Sequence, residues 1–223
     1  MKTHFDKYPA HYTVFILFFV AFINGFFLDQ LHQINLTVVW AYDIFQFVLL
    51  PFSLFYILFK VYDIRPHDYG ITVPGTTEKR QSLIYISIFC AVLLLLLHSA
   101  SYELIKLYIP DRLYEGYLKM VPEGLLKIPV VIYMSLTAAV VEEITYRGIP
   151  LLLLDRYKNH RYFNSIYVYA TAIIFTSVHW ENGTPDIAAT FIFGLLAAML
   201  FLHYRNLIPL IFAHFVVDIV QFW

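Results

Sequence analysis

Apolar residues in this chain come in long blocks rather than in the alternating or gapped patterns of water-soluble strands and helices. Seven such stretches cover residues 12–28, 36–62, 82–100, 128–154, 163–180, 186–204 and 207–223. Runs of about 17 to 25 apolar residues match the hydrocarbon thickness of a bilayer when they are helical. In hydrocarbon every backbone polar group must be satisfied within the segment, so helix is the expected state of each run. The pattern therefore predicts an all-α fold, a polytopic transmembrane helical bundle of about seven spans. The first run follows Lys2 and Lys7 as a signal peptide would, but it ends in Phe26, Phe27 and Leu28 without a small-residue cleavage pattern, so it is expected to be retained. The second carries Asp43, Gln46 and Pro51, which predicts a tilted or kinked rod. Between the second and third runs, Pro66, Gly70, Pro74 and Gly75 mark a loop. Residues 102–122 differ in kind: Tyr102, Tyr108, Tyr114 and Tyr117 alternate with Lys106, Arg112 and Lys119, which fits an amphipathic segment at the bilayer interface. With no repeat or low-complexity linker, residues 1–223 read as a single integral membrane domain.

Composition agrees with the block pattern. Residues are 60% hydrophobic and 14% charged, far from the balance of a soluble domain. The net charge of −1 leaves no basic field for phosphate contacts, so nucleic acid is excluded as a partner and membrane lipid is expected. A single cysteine, Cys90, rules out an internal disulfide. Basic residues orient the spans, because short cytoplasmic loops collect Lys and Arg. With the N-terminus inside, Lys60, Arg65, Lys79, Arg80, Arg156, Lys158, Arg161 and Arg205 all fall on inner segments. The expectation is an integral multi-pass protein of the cell membrane with a cytoplasmic N-terminus.

Ionisable side chains at membrane depth each cost at least about 2.5 to 3.5 kcal/mol to insert, so a cluster of them calls for a compensating role. Glu142, Glu143, Arg147, His179, His214 and Asp218 form such a set. Glu143 and Arg147 are four apart and share a helix face, which favours a structural ion pair. Glu142 is rotated by roughly 100° from Glu143 and is the carboxylate left for chemistry. Phe175 and His179, and likewise His214 and Asp218, are also four apart and share faces. Counting from a turn at 157–162, Glu142 and His179 both lie about 22 to 26 Å away, so an antiparallel hairpin brings them level. His214 and Asp218 come out slightly shallower. Asp43 and Gln46 are expected to bond across helices, and His98 and His203 to be packing residues.

In chain order these residues read Glu-Glu-x-x-x-Arg at Glu142, Glu143 and Arg147, then Phe-x-x-x-His at Phe175 and His179, then His-x-x-x-Asp at His214 and Asp218. The arrangement, with Arg147-Gly148 and the string Arg-Asn-Leu-Ile-Pro-Leu-Ile-Phe-Ala-His that ends at His214, resembles the CAAX prenyl protease and bacteriocin-processing (CPBP, or Abi) family of glutamic intramembrane proteases. The resemblance covers residues 129–222, within an expected catalytic core of 128–223. It implies hydrolysis of a peptide bond in a membrane-associated or lipidated protein or peptide, with neither metal nor other cofactor. By the same resemblance Glu142 is the general base helped by His179, His214 and Asp218 stabilise the oxyanion, and Glu143, Arg147 and Phe175 are supporting residues. Many relatives have Asn at the position of Asp218, and an ionised Asp would repel an oxyanion, so orienting His214 is the expected role.

Other functions compete with this one. A zinc-dependent membrane metalloprotease could use the same donors, yet no His-Glu-x-x-His occurs. Serine chemistry lacks a Gly-x-Ser-x-Gly, and paired aspartates in a Gly-x-Gly-Asp setting are missing as well. A transporter would be expected to show an internal repeat. A non-catalytic binding or immunity protein is compatible with the same motifs.

Overall fold

The computed structural model describes residues 8–109 and 120–223, with side chains described except at 8, 27–34 and 156. Among these residues the secondary structure is entirely helical. Seven rods follow one another: α1 (Tyr8–Ile34), α2 and α3 (Leu36–Ile44 and Leu50–Lys60), α4 (Thr77–Lys106), α5 and α6 (Lys127–Glu143 and Ile149–Leu154), α7 (Phe163–Ser177), α8 (Thr184–Tyr204) and α9 (Ile208–Phe222). Five of the rods are long and apolar enough to cross a membrane, and only 22% to 39% of each apolar window is buried within the protein. The rest of that surface is apolar and suits lipid, so the chain is an integral membrane protein. α7 and α9 have 15 residues each, about 22 Å of helix, and fall short of the ~30 Å hydrocarbon core.

Two rods are interrupted by π-helical turns, one of them in the span expected to tilt or kink. Phe45–Leu49 joins α2 to α3, and Ile144–Gly148 joins α5 to α6. Both have the same sequence cause. Pro51 and Pro150 stand two residues after the turns, and a proline has no N–H to continue the i→i−4 ladder. The ladder re-registers instead, with the Leu50 N–H bonding the Phe45 carbonyl and the Ile149 N–H bonding the Ile144 carbonyl. Each π turn lies among the polar residues of its span, after Asp43 and carrying Gln46 in one, after Glu142 and Glu143 and carrying Arg147 in the other.

Local chemistry sets the other helix ends. Asn35 caps α2 by accepting the Thr37 N–H at 2.7 Å, and Thr76 caps α4 by accepting that of Lys79. α4 runs on through Tyr102 to Lys106, so this part of the expected interfacial segment continues the third span. Residues 110–119, which carry Arg112, Tyr114, Tyr117 and Lys119, lie outside the described residues. α4 buries Ser87, Cys90, Ala91, Leu94 and His98, a single stripe at helical spacing that packs on α8 and α9. The opposite face, with Tyr85, Ile88, Phe89, Val92 and Leu96, is exposed.

The loop after α3 is tied to the turn between α8 and α9. The Leu207 N–H donates to the Gly70 carbonyl at 2.8 Å, and the Asn206 amide donates to the Thr72 carbonyl at 2.8 Å. Gly148 sits under this junction, where a Cβ would lie 2.6 Å from the Tyr69 carbonyl oxygen and 2.8 Å from Leu207 Cδ1. The backbone partner cannot yield as a side chain could. Gly148→Ala should therefore destabilise the protein by about 1–3 kcal/mol through overpacking, read as a fall in melting temperature. Gly75→Ala is the matched control, since nothing lies within 4 Å of the added carbon, and its melting temperature should stay at the wild-type value.

Candidate active site

The site forms where α5 with its π turn, α7, α8 and α9 meet. Arg147 and Glu143 are both fully buried, and Arg147 Nη1 donates to Glu143 Oε1 at 2.9 Å. The guanidinium carbon lies 3.9 Å from the centroid of the Phe175 ring, which gives the cation a π face in place of water. The carbonyl of Arg147, within the π turn, accepts the hydroxyl of the fully buried Tyr167 at 2.8 Å. Arg147 is thus fixed from its main chain by α7 and from its head group by α5 and α7.

The same Glu143 oxygen receives a second bond, from His214 Nδ1 at 2.9 Å. A carboxylate only accepts, so His214 carries its proton on Nδ1, and the ring is held with Nε2 pointing away from Glu143. The rings of Phe193 and Phe175 wall it in, at centroid distances of 5.0 and 5.8 Å. Nε2 lies 3.8 Å from Glu142 Oε2 and 3.5 Å from Asp218 Oδ1. Both distances exceed those of a short hydrogen bond, so when the ring is protonated on Nε2 as well, a further acceptor placed between the two carboxylates can receive that hydrogen.

His179 stands at the end of α7, with Nδ1 2.9 Å from the Phe175 carbonyl oxygen. A carbonyl cannot donate, so Nδ1 bears the hydrogen and Nε2 of the neutral ring is an acceptor. Glu142, His179, His214 and Asp218 all line one cavity of about 140 Å³, room for several waters. Glu142 comes from α5, His214 and Asp218 from α9, and His179 from the turn after α7, and the antiparallel hairpin from α6 to α7 brings Glu142 and His179 to the same cavity.

The cavity also has walls beyond the sequence motifs. Asp43 and Gln46 reach it from α2 and its π turn, Glu181 and Asn182 from the turn after α7, and Gln221 from α9. Asp43 does bond across helices, accepting the Tyr133 hydroxyl at 2.9 Å. His98, expected only to pack, faces the Gln221 amide at 3.2 Å and lines a second cavity of about 60 Å³ behind His179 and His214. Its sequence signal was weak: a buried stripe on α4 that ends in a polar residue. Among the described residues, no group of three or more His, Cys, Asp and Glu side chains has the arrangement to hold a metal ion.

Part of this helical core is similar to a known protein family. Residues 124–220 match the family model described as type II CAAX prenyl endopeptidase Rce1-like. No match to the chain is found among curated proteins or solved structures. The matched segment holds Glu142, Glu143, Arg147, Phe175, His179, His214 and Asp218, and ends within α9, whereas α1 to α4 lie outside it. Through this segment, which is less than half of the chain, the protein is similar to the Rce1-like, type II CAAX prenyl endopeptidase family.

Proposed function

We propose that the protein hydrolyses a peptide bond of a membrane-associated or lipidated protein or peptide by means of a water that Glu142 activates. The observation that carries this reading is the division of labour between two adjacent carboxylates. Glu143 is sealed off and committed to Arg147 and His214, whereas Glu142 lines the cavity with its Oε2 beside His214 Nε2. In this mechanism Glu142 takes a proton from the water as its oxygen attacks the scissile carbonyl carbon, then returns that proton to the leaving nitrogen when the C–N bond breaks. His179, whose Nε2 is free to accept, assists in orienting and deprotonating the water. His214, as imidazolium, donates from Nε2 to the tetrahedral oxyanion, with Nδ1 held by Glu143. Asp218 orients His214 rather than meeting the oxyanion itself.

The remaining parts of the reading follow from the same chemistry. Residues 1–223 act as one membrane unit with a catalytic core over 128–223. The excess of Lys and Arg on alternate loops favours a cytoplasmic N-terminus in the cell membrane.

Glu142→Gln should lower cleavage of a prenylated peptide by ~10²-fold or more while the melting temperature holds, because the amide keeps the shape but cannot take a proton. Full activity in that variant would remove Glu142 as the base. Glu143→Gln and Arg147→Leu should instead lose about 3 to 5 kcal/mol of stability, the cost of breaking one partner of a buried pair. Thermal denaturation in detergent separates the two outcomes.

At Asp218 the expected order of initial rates is wild type close to Asn, with both well above Ala. An amide still accepts from His214 and can also donate to the oxyanion. His214→Ala should lose ~10²- to 10³-fold in turnover, the usual cost of one oxyanion contact. Chelator treatment should leave wild-type rates unchanged. An Asp218→Asn variant as inactive as Ala, together with chelator sensitivity, would replace the hydrogen-bonding role by metal ligation.

A further inference from the structure

Part of the wall of the cavity that Glu142 lines comes from α2 and the π turn after it, outside the family-matched segment. Gln46 is the polar residue of that turn, 6% exposed, and its Oε1 is buried without a hydrogen-bond partner. A packing role would be served better by an apolar chain of the same length, since an unpaired amide is penalised in a water-poor interior. The π turn has a cause in Pro51, and its wider register carries Gln46 on a stretch of backbone that a plain helix would not shape in this way. Asp43, one turn earlier, is tied to Tyr133 of α5 at 2.9 Å. α5 also carries Glu142, so that bond fixes the spacing between Gln46 and the site. The Oε1 of Gln46 is therefore held near the site with unused accepting capacity.

We propose that Gln46 is a substrate-anchoring residue whose side-chain amide pairs with a backbone amide of the peptide lying in the cavity beside Glu142. An amide suits this task because an extended peptide offers N–H and C=O groups whatever its side chains, and the glutamine amide complements both without adding charge. The contact would hold the chain in register against Glu142 while accepting varied residues on either side of the scissile bond. Asp43 and Tyr133 are positioning residues that act through Gln46. The proposal deepens the protease reading and rests on it for the identity of the peptide.

The test uses a farnesylated peptide ending Cys-Val-Ile-Met and a set of analogues in which each backbone amide near the cysteine is replaced in turn by an ester. Each ester removes one N–H donor and little else. Binding is measured to the full-length protein carrying Glu142→Gln, with and without Gln46→Met, so that no turnover is needed. The expected result is one ester position that weakens binding about tenfold when Gln46 is present and has no effect in the Gln46→Met protein. On otherwise wild-type protein, Gln46→Met should raise KM about tenfold with kcat nearly unchanged, and Tyr133→Phe should show a smaller shift of the same kind. The proposal is overturned if the ester series is flat on the Gln46-containing protein, if the same position is equally sensitive without Gln46, or if the all-amide peptide does not bind. Failure of the protease reading appears separately, as binding of the all-amide peptide without its cleavage by the wild type.

Discussion

A guanidinium and a carboxylate with no exposure to solvent form the contact on which this site depends. Burial of the Arg147–Glu143 pair would be costly if either partner were left alone, and the surrounding residues act to prevent that. Phe175 lies under the guanidinium, Tyr167 caps the Arg147 carbonyl, and His214 takes the second bond to Glu143. The consequence runs outward from the pair to the chemistry. Because Glu143 is occupied on one side by Arg147, its other contact sets the tautomer and direction of His214, and so presents Nε2 toward Glu142 and Asp218. The neighbouring glutamate, turned roughly 100° around the helix, is thereby left for the cavity.

The two π turns give this arrangement its geometry. Asp43 precedes Pro51, and Glu142 precedes Pro150, by the same eight residues. In both spans the ladder re-registers ahead of the proline, at the polar residues that meet the cavity. A span that re-registers ahead of its proline keeps its backbone bonded internally, which hydrocarbon requires. Gly148 closes the second turn and lets the backbone at Tyr69 approach.

Much of this was legible from residue order, and the parts that were not have physical reasons. The Glu143–Arg147 pair, the Phe175–His179 contact and the His214–Asp218 pairing are all i,i+4 relations, which sequence states directly. The hairpin that levels Glu142 with His179 followed from helix rise. The contact of His214 Nδ1 with Glu143 spans 71 residues and has no local signature, so the two glutamates could be divided by angle but not by partner. Asp43 and Gln46 were ambiguous because a polar residue in a span has an inexpensive structural alternative, and Asp43 does take it with Tyr133. The π turns were hidden because a proline in a span is compatible with a kink, a break or a re-registered ladder. Tyr102 to Lys106 looked interfacial because aromatic and basic residues also suit the end of a long helix.

The central claim is that Glu143 holds His214 while Glu142 is left to react, and nitrogen-15 NMR of histidine-labelled protein tests it most directly. The nine histidines are assigned by single substitution, and the Nδ1 resonance of His214 is followed in wild type, Glu142→Gln and Glu143→Gln proteins. The account predicts a protonated, strongly hydrogen-bonded Nδ1 that is nearly unchanged by Glu142→Gln and shifts markedly with Glu143→Gln. A resonance that moves with Glu142→Gln and ignores Glu143→Gln would contradict it.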